Sequence, residues 1–157
     1  MSIVKESKGR LIEQIDVLLS SSESVTIAID GMSGAGKSTL AAGLAVRYDD
    51  CGIIHIDDYY DCSVGRLKEE EIVERFGIVA SEHRLVVVEG VYCLKFDFAY
   101  DLKLFMEIPE AEQHRRIKAR NPDLYDKYIN KWIPAENEYF HNIKEKEKES
   151  LIYLEQN

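Results

Sequence analysis

The segment Gly31-Met-Ser-Gly-Ala-Gly-Lys-Ser38 fills every defined position of the pattern GxxxxGK[ST]. It follows a short β-branched run, Val25-Thr-Ile-Ala-Ile-Asp30, and precedes an Ala- and Leu-rich stretch from Lys37 to Tyr48. That order predicts strand, loop, helix, and the chemistry such a loop performs is phosphate capture. Glycines reach torsions closed to other residues, so successive N–H groups turn inward as an anion nest, and the helix adds its N-terminal dipole. The nest is expected from Gly31, Ser33, Gly34, Ala35, Gly36, Lys37, Ser38 and Thr39. Lys37 is placed to reach β- and γ-phosphates, and the Ser38 hydroxyl to ligate Mg²⁺. The plainer reading is a glycine turn before a helix; the strand–helix setting weighs against it.

Acids gather where such a loop would need them. Gly52-Ile-Ile-His-Ile-Asp57 reads as a second strand ending on Asp57, with Asp58, Tyr59 and Tyr60 next. Aspartates are ordinary at strand exits. Beside a phosphate loop, one could deprotonate an acceptor hydroxyl or hold Mg²⁺. Neighbouring strand residues face opposite ways, so Asp57 and Asp58 share a role only if the chain turns there. Arg84-Leu-Val-Val-Val-Glu89 is a third strand ending on an acid, and an unpartnered buried Glu89 would be costly. The candidate metal set is therefore Ser38, Asp57 and Glu89. His55 reads as a hydrogen-bonded strand histidine. Arg116 and Arg120, four apart in His114-Arg-Arg-Ile-Lys-Ala-Arg120, share one helix face. They either pair with Glu110 and Glu112 or neutralise a phosphoryl group in transit.

These residues need a frame to hold them. Ile3, Val4, Leu11, Ile12, Ile15, Leu18 and Leu19 recur at helical spacing, which predicts a first helix within residues 1–24. Leu67 to Phe76 is expected to be helical, Asp101 to Ile108 a fourth strand, Glu110 to Ala119 a helix, and Leu151 to Leu154 a fifth strand. Residues 110–141 form the expected lid and the helix after it, with Trp132, Tyr139 and Phe140 expected to pack that helix or else to line a pocket. Strands alternating with helices imply a three-layer α/β/α sandwich on a mainly parallel five-stranded sheet, with ligands at the carboxyl ends of the strands.

Bulk composition narrows the options. The chain has 157 residues, 45% hydrophobic and 31% charged, which fits one globular domain spanning 1–157. Its formal charge of −9 disfavours binding to polymeric nucleic acid. Three scattered cysteines and an N-terminus without an apolar core suit a reduced, cytoplasmic setting. No apolar run approaches membrane-spanning length, so no membrane partner is expected.

Taken in order, Asp30-Gly-Met-Ser-Gly-Ala-Gly-Lys-Ser-Thr39, Ile54-His-Ile-Asp-Asp-Tyr-Tyr60, Val88-Glu-Gly90, Arg115-Arg-Ile-Lys-Ala-Arg120 and Trp132-Ile-Pro-Ala-Glu-Asn-Glu-Tyr-Phe140 resemble the uridine kinase-like P-loop kinases. The resemblance runs from about Val25 to Leu154. It implies the P-loop nucleoside triphosphate hydrolase fold and ATP with Mg²⁺, held by Lys37 and Ser38. It makes Asp57 the base on the acceptor hydroxyl, with Tyr59, Tyr60 and Glu89 on the acceptor side. Arg116 and Arg120 become lid residues. The expected partners are a nucleoside triphosphate and a small-molecule acceptor. Two departures stand out. Only Asp61 to Arg84 separates the Asp–aromatic element from the next strand, without the family's Asp-Trp and proline-containing pocket elements. The chain also stops directly after the last expected strand, where an adenine-contacting loop would follow. The expected function is a kinase acting on a hydroxyl, of a nucleoside by analogy. The alternatives are a nucleotide-binding module without acceptor, or a kinase for a smaller sugar or vitamin alcohol.

Overall fold

A computed structural model describes residues 4–154. Six strands form one sheet, all parallel, in the order β1-β8-β7-β2-β6-β3. They are β1 (Val4–Glu6), β2 (Val25–Gly31), β3 (Cys51–His55), β6 (Leu85–Glu89), β7 (Leu102–Met106) and β8 (Leu151–Leu154). The numbers skip because β4 (Tyr60–Asp61) and β5 (Arg66–Leu67) form a separate antiparallel hairpin. The helices are α1 (Lys8–Ser21), α2 (Lys37–Arg47), α3 (Glu69–Glu82), α4 (Glu110–Arg120), the single turn α5 (Tyr125–Lys127) and α6 (Ile133–Lys146).

Period-two alternation sorts the buried strands onto two faces. Ile27 and Ile29 of β2, with Leu85 and Val87 of β6, join Leu11 and Ile15 of α1 and Leu40 and Leu44 of α2 in one core. Ala28, Val86 and Val88 look the other way, into a core shared with Ile72 and Val79 of α3 and Phe140 and Ile143 of α6. This is the expected three-layer α/β/α sandwich.

The sheet has six strands rather than five. The extra one, β1, lies where the apolar spacing suggested the start of the first helix. Val4, Lys5 and Glu6 pair with Ile152, Tyr153 and Leu154, and the helix begins only after Ser7. Ser7 is the boundary signal: its hydroxyl accepts the Arg10 amide at 3.2 Å, an N-cap bond. Residues 1–3 of the expected helix lie outside the described residues. Two further boundaries moved. The second strand stops at His55 and the chain enters a 3₁₀ turn, Ile56–Tyr59. The third helix starts later and runs further than Leu67–Phe76, because Leu67 belongs to the hairpin.

Tyr128–Trp132 is a π turn running straight into α6. Pro134 sits at the first turn of α6, where its missing N–H removes one helical donor. The π turn lies directly before it. That turn sets the direction of Lys131 and Trp132.

Candidate functional site

The site forms at the carboxyl end of β2. Gly31, Gly34 and Gly36 have φ of 132°, 85° and 97°, torsions that favour glycine. At Gly31 there is a second constraint: a Cβ would lie 2.2 Å from the Met106 carbonyl oxygen of the neighbouring strand. Gly36 caps α2 without a side chain, and the first turn of α2 holds no acid. Its amides stay free for an anion.

Lys37 is buried, and its Nζ donates to the carbonyls of Gly31 at 2.9 Å and Met32 at 2.7 Å. Burial pushes its pKa down, while the carboxylates of Asp30, Asp57, Glu136 and Glu89 pull it back up. Ser33 stands inside the loop, Ala35 is buried, and Ser38 and Thr39 are exposed on the first turn of α2.

Strand register brings the acids to the loop. Glu89 pairs with Ile29 and with His55 in the sheet and faces the α2 side. The Ser38 hydroxyl donates to Glu89 Oε2 at 3.2 Å, and His55 Nδ1 lies 2.5 Å from the same oxygen. Glu89 is only 3% exposed. His55, read from sequence as a strand histidine with an ordinary partner, thus holds the acid of the site. Gly90, with φ 131° and a would-be Cβ 2.9 Å from Ile56, lets the β6 exit pass close to the 3₁₀ turn. That turn is where the chain bends between Asp57 and Asp58, both of them exposed.

Across the loop, Glu136 of α6 accepts the Ser33 hydroxyl at 2.9 Å. It is 7% exposed, and burial pushes its pKa up to about 7 against opposing pulls from Ser33 and Lys37. Sequence reasoning quoted Glu136 within a matching segment but gave it no role. Nothing in its helical spacing separates it from a surface acid; only the packing of α6 on the loop does. Asp30 was missed as well. Its fully buried carboxylate accepts the Tyr139 hydroxyl at 2.6 Å and the amides of Gly31 and Leu94. Burial raises its pKa, and those three bonds pull it back.

The arginines divide. Arg116 donates from Nη1 to the Gly34 carbonyl at 2.9 Å and from Nε to Glu112 at 2.9 Å, so it touches the loop. Arg115 shares Glu112, whose pKa these two arginines hold down at about 2. Arg120 is exposed at the end of α4, with no ion pair or hydrogen bond among the described residues. Gln113 adds a second tie from α4, donating to the Ser33 carbonyl at 3.0 Å.

A cleft of about 500 Å³ opens beside the loop, with Ser33, Asp57 and Glu136 lining it on the loop side. Tyr60, Tyr92, Tyr128 and Trp132 supply aromatic walls. Trp132 therefore lines the cleft rather than packing the terminal helix, while Phe140 is core and Tyr139 half-buried. Tyr59 packs toward the core beside α3, and Glu89 is on the Ser38 side rather than in the cleft lining. Tyr92 has φ 79°, a strained conformation of the kind that collects at functional sites. The short Asp61–Arg84 segment contributes Gly65, Arg66, Leu67 and Glu69 to this cleft. The hairpin that carries them is fixed by Asp61, which accepts the Ser63 amide and hydroxyl at 2.9 and 2.6 Å. A wall thus exists where the sequence showed no recognisable pocket element.

Mg²⁺ fits the donors present. Ser38 and the buried Glu89 offer adjacent hard oxygens. Among the described residues no group of three or more His, Cys, Asp or Glu could cage a metal alone. Mg²⁺ commonly takes one or two protein oxygens together with substrate phosphates. No described helix is long and apolar enough to cross a membrane.

The fold is that of the P-loop kinases. A candidate fructose transport system kinase from Silicibacter sp. TM1040 superposes with a TM-score of 0.59 at 17% identity, over 73% of this chain and 81% of that one. TT1252 from Thermus thermophilus gives 0.52 at 17% identity, over 87% and 91%. Shikimate kinase from Acinetobacter baumannii gives 0.51 at 18% identity, over 85% and 84%. In sequence, the chain is 33% identical over 119 residues to the mycobactin import ATP-binding/permease protein IrtA of Mycolicibacterium thermoresistibile. That match covers 73% of this chain but spans only 12% of the relative's length. No family model matches the chain.

Proposed function

We propose that this protein is an ATP-dependent small-molecule kinase that transfers the γ-phosphoryl group of MgATP to a hydroxyl. A nucleoside is the first acceptor class to test, from the resemblance to uridine kinase-like enzymes. One observation carries the reading: the cleft opens directly beside the P-loop, with the Asp57 carboxylate and the loop residue Ser33 in the same wall. A pure nucleotide binder needs the loop but has no use for a walled cavity with a carboxylate beside that loop. The names of two structural neighbours, a fructose transport system kinase and a shikimate kinase, agree with this class, as does "ATP-binding" in the name of the sequence relative.

In this reading Asp57 takes the proton of the acceptor hydroxyl as its oxygen bonds to the γ-phosphorus, and the bond to the β,γ-bridging oxygen breaks to release ADP. Lys37 and the α2 amides hold the phosphates. Arg116, already on the loop, neutralises charge spreading over the transferring group. Glu89 and Ser38 would hold Mg²⁺, which offsets phosphate charge, while His55 keeps the Glu89 carboxylate aimed at Ser38. The cleft walls orient the acceptor and exclude water.

An ADP-release assay across nucleosides, sugars and vitamin alcohols with MgATP tests the reading. Acceptor-dependent release is expected. Lys37→Ala and Asp57→Asn should each keep the fold by circular dichroism and slow turnover by about 10²- to 10⁴-fold. ADP release that ignores every acceptor, or normal turnover in Asp57→Asn, would overturn it.

A further inference from the structure

The cleft carries a charge pattern that phosphoryl transfer itself does not require. Beside the loop it holds two acids, the exposed Asp57 and the buried Glu136. Its exposed rim holds three cations: Arg66 from β5, Lys95 from the short 3₁₀ helix after β6, and Lys131 from the π turn. Lys95 is neutralised, with its Nζ 2.6 Å from Glu69. Arg66 and Lys131 pair with no carboxylate among the described residues, although Asp61 stands opposite Arg66 in the hairpin register. Asp61 is turned instead into its own tight turn, where the Ser63 hydrogen bonds hold its pKa below the usual carboxylate value. Two positive charges without an ion-pair partner among the described residues thus face a cavity in a protein whose formal charge is −9. The walls that bear them meet: the rings of Tyr60, on the strand paired with β5, and Trp132, beside Lys131, contact edge-on at 6.2 Å.

We propose that Arg66 and Lys131 receive an anionic group of the acceptor, a carboxylate or a phosphate monoester. The acceptor would then be a hydroxyl compound whose negative charge lies away from the reacting oxygen. This rests on the kinase reading of the same cleft. A guanidinium offers two parallel N–H donors to such an anion, and an ammonium adds a point charge. The acids beside the loop repel the same anion, so the cleft orients the molecule: hydroxyl toward Asp57, anion toward Arg66 and Lys131. A neutral polyol gains neither effect.

Matched acceptors test this: ribose against ribose 5-phosphate, glucose against gluconate, and uridine as the neutral nucleoside. ADP release is followed for the wild type, Arg66→Ala and Lys131→Ala. Binding of ribose 5-phosphate and gluconate is measured separately by calorimetry, with the P-loop filled by a non-hydrolysable ATP analogue. The anionic partner should exceed its neutral match in kcat/KM by about tenfold or more, roughly the worth of one charge-assisted hydrogen bond. Each substitution should raise the acceptor KM about tenfold and leave kcat and the KM for ATP within about twofold. A rise in the ATP KM instead would assign these cations to the triphosphate and overturn the proposal. So would uridine outperforming every anion in an Arg66- and Lys131-independent way. If no acceptor supports ADP release, the kinase reading fails. Anion binding that both substitutions abolish then keeps the rim site standing, and its absence in the wild type removes that site too.

Discussion

Glu136 shows how one residue's surroundings decide its chemistry. Burial raises its pKa to about 7 from the ordinary glutamate value near 4.5. A carboxyl that holds its proton more tightly folded than unfolded favours the folded state below its unfolded pKa. That contribution is lost as pH rises through the folded pKa. For Glu136 the window is about pH 4.5 to 7, and the stabilisation lost across it is about 1–3 kcal/mol. Glu136→Gln keeps the shape and removes the titration. Urea unfolding of the nucleotide-free protein at pH 5 and pH 8 should therefore show the variant gaining on the wild type at the higher pH. An identical difference at both pH values would mean that Glu136 does not titrate in that window.

At the scale of elements, α6 is what closes the site, through two bonds of different kinds. Glu136 grips the loop at Ser33, and one turn further on Tyr139 grips Asp30 at the end of β2. Removing the second hydroxyl in Tyr139→Phe leaves a fully buried carboxylate with its two backbone donors alone, instead of three donors. We expect a loss of about 1–3 kcal/mol in unfolding free energy and weaker nucleotide binding, read by denaturation and by calorimetry on one preparation. A variant with unchanged stability would show that the backbone donors suffice. This pair also marks the limit of what sequence reveals. Val25–Gly31 and its glycine loop were legible because a local pattern encodes them, and Leu85–Glu89 because an unbroken apolar run must be buried. Strand β1 was hidden by its own brevity: three residues cannot show a period, and Ser7 alone marked the break. The cleft wall from the β4–β5 hairpin, and the partners of Asp30, His55 and Glu136, depend on contacts between residues 34 to 109 positions apart. No window along the chain contains such a contact.

The whole molecule adds a term that no single residue carries. The formal charge is −9, and the radius of gyration of a domain this size is about 15 Å. At about 10 mM salt the screening length is roughly 30 Å, so an approaching triphosphate meets the net charge of the whole domain. At about 150 mM it is roughly 8 Å, and the ligand senses only the site, where Lys37, Arg116 and the α2 amides are the positive elements. Raising salt should then remove a repulsive approach before it weakens the captured state. The association rate of a fluorescent ATP analogue, at fixed Mg²⁺, is expected to rise several-fold between these two conditions in stopped-flow. The dissociation rate should change less, because the loop contacts are short and partly buried. A fall in association rate over the same range would place the controlling field in the local cations of the loop and α4 instead of in the domain's net charge.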